Sequence, residues 1–306
     1  MKQADESLQG WLDDEFSTVD AGGVYQAHQP IYGFRQGHCA GMVMMRYTIT
    51  YQILRALARL KFKTFIDIGG AEGYKSALVK KIFQADVFSC DFSHAANQRA
   101  LEIFQVAGQS VDVRDLPFAD GAFDVVVCSE TLEHIKDIQR ATQELLRVAR
   151  SAVIITVPQD PAERIARNLK NSTDPFPHIQ CLDSSSFDWV KELGWHVQAK
   201  VFNSKLLSLF FKVAEAADVT KPKYSALRKF LQNRILNPML REMFGRGFTA
   251  RLMELDDRLA GKNAVGKNLI FVLVKDPAAI TSIPRLTITA KQVLDFCVPL
   301  HFLGNP

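Results

Sequence analysis

The chain of 306 residues holds 47% hydrophobic and 23% charged residues at a formal net charge of +4, proportions that exclude wholesale disorder, a multi-span membrane protein and a disulfide-stapled miniprotein. Its five cysteines (Cys39, Cys90, Cys128, Cys181, Cys297) are scattered without a CxxC pair, which argues against a zinc ribbon or a secreted disulfide framework and for a reducing cytoplasm. The acidic N-terminus lacks an apolar h-region, and no run approaches the roughly 18 apolar residues of a spanning helix, so neither a signal peptide nor a membrane anchor is expected.

In chain order, residues 1–62 show no strand pattern. A loop-rich arm is expected, then an amphipathic helix over Met42–Leu60, where Met45, Ile49, Ile53, Leu57 and Leu60 recur at helical spacing. From Lys63 short apolar runs alternate with helical segments, giving expected strands at Thr64–Ile68, Asp86–Asp91, Ser110–Val113, Phe123–Cys128, Ala152–Val157, Trp195–Val201 and Leu269–Val274. Ser93 caps a helix that ends at Gly108, and Asp183 or Ser184 caps another that ends at Gly194. Such alternation is the pattern of an α/β, doubly wound parallel sheet. The expected organisation is an N-terminal arm and helix over 1–62 that acts as a lid or as ordinary packing (Tyr25, Tyr32, Phe34, His38 and Cys39 are the residues concerned), a sheet core over 63–202, a helical insert over 203–266, and a last strand with a tail over 267–306.

The insert holds twelve Lys/Arg against six Asp/Glu, a local excess of +6 in a chain of only +4, so the basic character belongs there rather than to the sheet. Leu206, Leu207, Phe210, Phe211 and Ala214 form an apolar stripe bordered by Lys205 and Lys212. A substrate lid or a homodimer element is the preferred reading, with contact to an anionic membrane surface as the minority one.

The most informative stretch runs from the first strand through Asp67-Ile68-Gly69-Gly70-Ala71-Glu72-Gly73 into a helix around Ser76–Phe83. Small residues at such a turn bring main-chain N–H groups close to a ligand, although similar turns also arise for packing alone. Asp91 ends the second strand eighteen residues after Gly73 (91 − 73), where a carboxylate can accept from ribose hydroxyls, so a nucleoside-containing ligand is expected. With the turn registered on Gly69 and Ala71, the third small residue of a GxGxxG pattern would fall on Tyr74, which argues against a nicotinamide dinucleotide.

Four ordered motifs then make the pattern specific: Asp67 to Gly73, Asp112-Val113-Arg114-Asp115-Leu116-Pro117-Phe118, Phe123-Asp124-Val125-Val126, and Leu132-Glu133-His134. Together they resemble class I S-adenosylmethionine-dependent methyltransferases of the small-molecule type, over residues 63 to about 202. The departures are Ala71 at the usual middle glycine, Ala149-Arg150-Ser151 before the fifth strand, and the 203–266 insert. The resemblance implies a Rossmann-like seven-stranded sheet with an antiparallel last strand. It also implies S-adenosyl-L-methionine as cofactor, its methionine end over Gly69, Gly70, Ala71 and Gly73 with Asp67 nearby. Asp91 would then hold the ribose, with Phe92 also a cofactor-binding residue, Asp112 and Val113 would lie at the adenine, and Ser129 and Glu130 beside the sulfonium.

Methyl transfer from a sulfonium is an in-line displacement in which the protein mainly aligns and desolvates, so a base is optional. His134 is the candidate where the acceptor is a hydroxyl, because histidine titrates near neutrality; its alternative is a structural role at the pocket floor. His178, in Pro177-His178-Ile179, is expected to fold back over the pocket. Glu130, Glu133, His134 and His178 also look like the metal site of small-RNA 3′-end 2′-O-methyltransferases and ubiquinone-pathway O-methyltransferases, so a divalent metal is kept as an option ranked below a metal-free site. The leading expectation is methylation of an oxygen or nitrogen of a small or lipid-linked molecule. Its rivals are a metal-dependent RNA 2′-O-methyltransferase, disfavoured because the basic residues lack an interleaved aromatic stacking platform for nucleic acid, and a catalytically silent scaffold.

Overall fold

A computed structural model of the chain describes residues 2–19, 24–33, 40–202, 246–263 and 268–298. Helices α1 (Lys2–Ser17) and α2 (Ala40–Leu57) precede β1 (Thr64–Ile68), α3 (Tyr74–Phe83), β2 (Asp86–Cys90), α4 (His94–Phe104) and β3 (Phe123–Ser129). After a 3-10 turn at Leu132–His134 come α5 (Ile138–Val148), β4 (Ala149–Pro158), α6 (Ala162–Asn171), β5 (His196–Phe202), α7 (Arg246–Asn263), β6 (Asn268–Val274) and α8 (Ala290–Leu294).

The six strands form one sheet in the order β2-β1-β3-β4-β6-β5. β1 to β4 are mutually parallel, whereas β6 runs antiparallel to both β4 and β5. The central strands are Val/Ile runs buried on both faces, as a doubly covered parallel sheet requires. Alternate residues divide between two cores: Val125, Val127 and Ile154 pack toward α2 and α3, and Val126, Cys128 and Ile155 toward α5. Because β2 and β3 lie on opposite sides of β1, the chain leaving β1 sits at the switch point where such sheets open a crevice at their carboxyl ends.

Three expectations change. Among the described residues the sheet has six strands rather than seven, because Ser110–Val113 makes only isolated bridges, Asp91 to Ser110 and Asp112 to Asp115. There the Asp112 carboxylate takes the Arg114 N–H at 2.8 Å and the Asp112 carbonyl takes the Asp115 N–H at 3.0 Å, a tight turn that ends the ladder before it lengthens. The segment between Asp183 and Gly194 is a series of turns with a 3-10 stretch at Asp188–Leu193, ended as expected by Gly194 in the left-handed conformation. Finally, the loop-rich arm begins with α1, whose Leu12 and Phe16 are buried against Ala71 and Ala96. The Gln9 amide donates to the Phe92 carbonyl at 2.7 Å and to Ser110 Oγ at 2.8 Å, and the Asp13 carboxylate accepts from Ser93 Oγ at 2.6 Å and the Ala95 N–H at 3.0 Å. α1 is therefore fixed across the N-terminus of α4.

Tyr25 and Tyr32 are buried, while Phe34, His38 and Cys39 lie outside the described residues. Of the insert, 203–245 and 264–266 also lie outside them, including the Leu206–Ala214 stripe. Its described helix α7 packs on the sheet domain through Ala250 and Met253, and Asp257 accepts from Gln52 at 2.8 Å and Lys200 at 2.9 Å while pairing with Arg55. No helix among the described residues is long and apolar enough to cross a membrane.

Candidate active site

β1 delivers a fully buried strand end into the glycine-rich turn. Gly69 and Gly73 adopt φ of 75° and 76°, and a Cβ on Gly69 would fall 2.1 Å from Thr131 Oγ1, so both backbone freedom and missing volume are required there. Ala71 also takes a positive φ of 47°, so the residue standing at the usual middle glycine carries left-handed strain. The turn's donors are engaged internally. Gly69 and Gly70 donate to the Cys90 carbonyl at 2.8 and 3.0 Å, Gly73 to the Gly70 carbonyl at 3.0 Å, and Ala71 to Asp91 Oδ2 at 2.9 Å. Glu72 points the other way and is buried. It accepts from Tyr25 Oη at 3.0 Å, from the Gln29 N–H at 3.0 Å and from the His28 N–H, so the arm after α1 is anchored to the turn. Burial alone would raise the Glu72 pKa, but the His28 contacts hold it below the usual range.

A cavity of about 840 Å³ opens above the turn. Of the residues expected at a cofactor, Gly69, Ala71, Asp91, Phe92, Asp112, Val113, Ser129 and Glu130 line it, as do His134 and His178. Asp67, Gly70 and Gly73 do not; they shape the turn beneath. Asp91 is held by the Ala71 N–H and, at 3.1 Å, by the Ser93 N–H; burial raises its pKa against these bonds. Asp112 is paired with the Arg114 guanidinium at 2.6–3.0 Å, which keeps its carboxyl below the ordinary range despite partial burial. Asp67 is wholly buried with neither carboxylate oxygen hydrogen-bonded. Its one ion pair is with Lys75 Nζ at 3.5 Å, and burial pushes its pKa up to about 6.

The far end of the cavity gathers the other polar groups. Glu130 leaves β3 at φ 55° with Oε1 lacking a partner, and burial raises its pKa to about 7. Glu133 is buried with Oε2 lacking a partner, and burial together with the Glu130 charge raises it well above the carboxylate range. His134 stacks on Phe176 at 3.9 Å between centroids. Its Nδ1 meets the Pro177 carbonyl at 3.1 Å, and burial, then the nearby His178 charge, lowers its pKa to about 4. The segment carrying His178 does fold back: Ile179 and Gln180 donate to the Glu133 carbonyl at 2.8 and 3.2 Å. His178 Nδ1 meets Asp160 Oδ2 at 2.5 Å, while Asp160 Oδ1 pairs with Arg164 at 2.8 Å. Ligand atoms of Glu133, His134 and His178 all lie within 4.8 Å of one another; Glu130 is not part of that group.

The sequence profile of the family described as "Methyltransferase domain" matches residues 66–157, the stretch that contributes the turn, Asp91, Asp112 and the β3 exit. This segment is a class I S-adenosylmethionine-dependent methyltransferase domain. Among curated proteins, the chain is 31% identical over 96 residues to tocopherol O-methyltransferase of Arabidopsis thaliana, covering 29% of this chain and 28% of that one. It is 29% identical over 163 residues to demethylmenaquinone methyltransferase of Beutenbergia cavernae, covering 46% and 65%. The chain thus spans less than two thirds of these relatives' lengths. Among solved structures it is similar to Haemonchus contortus phosphoethanolamine N-methyltransferase 2 in complex with S-adenosyl-L-methionine, at 16% identity and a TM-score of 0.47 over 77% of this chain and 57% of that one.

Around this methyltransferase domain, four contributors escape a sequence reading. Leu8, Leu12 and Phe16 do stand at helical spacing and signal α1. The contacts of Glu72 with Tyr25, Lys75 with Asp67 and Asp160 with His178 give no local signal, because they span 47, 8 and 18 residues.

Proposed function

We propose that the chain transfers a methyl group from S-adenosylmethionine to an oxygen or nitrogen of a small or lipid-linked acceptor. The observation that carries this reading is the continuity of one cavity from Asp91 and Asp112, past Ser129 and Glu130, to His134 and His178. A cofactor with its adenosine at the first pair would direct its methyl toward the last. The relatives named as tocopherol and demethylmenaquinone methyltransferases support a small-molecule acceptor. Where the acceptor is a hydroxyl, His178 is the proposed base and Asp160 its positioning residue. With Nδ1 on a carboxylate, His178 keeps Nε2 as the proton acceptor, whereas His134, stacked and depressed to about 4, serves as the floor. Calorimetry tests the cofactor half: S-adenosylmethionine and S-adenosylhomocysteine bind and NAD does not, and absence of binding overturns the reading. Once turnover is seen, His178→Ala abolishes it while leaving cofactor affinity intact.

A second reading is favoured by the Glu133, His134 and His178 group. Both imidazoles have Nδ1 against an oxygen acceptor, the arrangement that leaves Nε2 for a metal, and Glu133 Oε2 is unpartnered. The donor set therefore fits a divalent cation, which when bound would supply Lewis-acid positioning of acceptor oxygens. Turnover with and without EDTA separates the two: the metal-free reading expects activity to persist, and loss restored by a divalent cation promotes the three residues to ligands.

A further inference from the structure

We infer that Lys75 receives the carboxylate of the cofactor's methionine end and so selects ligands that carry an amino-acid group over those that end at the thioether. The inference deepens the methyltransferase reading and rests on it. A ligand with its ribose at Asp91 and its sulfur beside Ser129 and Glu130 lays its amino-acid portion over Gly69 and Ala71. A carboxylate there needs donors, and a glycine-rich turn would ordinarily offer its main-chain N–H groups. In this chain those of Gly69, Gly70, Ala71 and Gly73 are already engaged, by the Cys90 carbonyl, Asp91 and the Gly70 carbonyl.

Lys75, in the first turn of α3, supplies what the turn does not. Its side chain is only 5% exposed, yet the residue borders the cavity next to Gly69, Ala71 and Glu130. Among the described residues its charge partner is Asp67 Oδ2 at 3.5 Å, an ion pair longer than a good hydrogen bond. Both Asp67 oxygens remain without a hydrogen bond. The ammonium has three donors, so it can hold a ligand carboxylate and still compensate the Asp67 charge below. Other cavity cations stand elsewhere: Arg114 is held by Asp112, and Arg46 and Lys136 come from α2 and from the segment before α5.

The test compares S-adenosylhomocysteine with 5′-methylthioadenosine, which keeps the nucleoside and thioether but lacks the amino acid, by calorimetry on the full chain. The wild type is expected to prefer S-adenosylhomocysteine. Lys75→Met is expected to weaken it roughly 10- to 100-fold, the range for losing a charged hydrogen bond, while 5′-methylthioadenosine stays within about twofold. Retained methylthioadenosine binding also reports that the variant is folded. Should Lys75→Met fail to fold because Asp67 is left uncompensated, the Asp67→Asn/Lys75→Met double variant, which removes both charges, is read in the same way. A variant that keeps the wild-type preference, or a wild type with none, overturns the role of Lys75. A wild type that binds neither ligand overturns the methyltransferase reading itself.

Discussion

The two ends of the cavity are built on opposite terms. Beneath α1, the carboxylates around the turn's rim have partners within the chain, Asp91 with two N–H groups, Glu72 with three donors and Asp13 with Ser93 and Ala95, and Asp67 below the turn is the exception. At the His178 end, Glu130 and Glu133 keep oxygens without partners and are pushed toward the neutral form. Burying polar groups unpaired is costly, so the first end is organised before any ligand arrives, and the second is organised for something still to come. Under the proposed function, the difference separates a region that positions from a region that reacts.

The sharpest way to break the contrast is to spoil the satisfied end. Glu72→Ala leaves one buried and two half-buried donors unpaired and should cost about 3 kcal/mol in chemical denaturation. Because its folded pKa is lowered, the contribution of Glu72 is fully present above the ordinary glutamate range and is lost as pH falls through the folded value. Next, Asp91→Ala removes both the proposed ribose acceptor and the brace on Ala71, and should weaken S-adenosylmethionine binding by about 1–3 kcal/mol by calorimetry. Unchanged affinity would mean that the satisfied end is only scaffold.

The unsatisfied end gives a change of opposite sign. Glu130, raised to about 7, is more protonated when folded than unfolded, so its contribution is present at low pH and lost as pH rises through 7. His134, lowered to about 4, works the other way: its contribution is present above the ordinary histidine range and lost as pH falls toward 4. Above about pH 6.5 the His134 contribution is complete, so wild-type stability should decline with pH to about 8 as Glu130 loses its proton, with the raised Glu133 beside it acting in the same direction, and Glu130→Gln should reduce the decline, gaining of order 1 kcal/mol at pH 8 in thermal melts. The smallest effect belongs to the turn: Ala71→Gly relieves the left-handed alanine and should stabilise by about 0.5–1 kcal/mol, seen as a small rise in Tm.

What could be read in the sequence follows the same division. β1, β3, β4 and β6 were legible because buried Val/Ile runs announce themselves locally, and Ser93 caps α4 through its bond with the Ala96 N–H as its residue type foretold. Asp91 was legible because its distance from the turn is set by one βαβ unit. Ser110–Val113 misled because an apolar alternation does not show that Asp112 will turn the chain on itself. The polar composition of α1 hid a helix whose few apolar residues suffice once α4 is beneath them. The contacts of Glu72 with Tyr25 and of Asp160 with His178 were illegible for a different reason: a carboxylate's partner far along the chain is a property of the packed chain.

Tyr74 carries a consequence for redesign. It touches no part of the cavity, yet it follows the turn directly, donates to the Val293 carbonyl at 2.9 Å, and packs against Phe296, Phe104 and Tyr47 with centroids 5.5, 6.4 and 6.5 Å away. Grafting a pyrophosphate-binding fingerprint onto this scaffold would require a small residue at that place. The void left in the aromatic cluster would cost about 3–5 kcal/mol, a large part of a domain's net stability. Conversion to a dinucleotide enzyme is thus opposed by the hydrophobic core, at the very position where the fingerprint needs its third small residue.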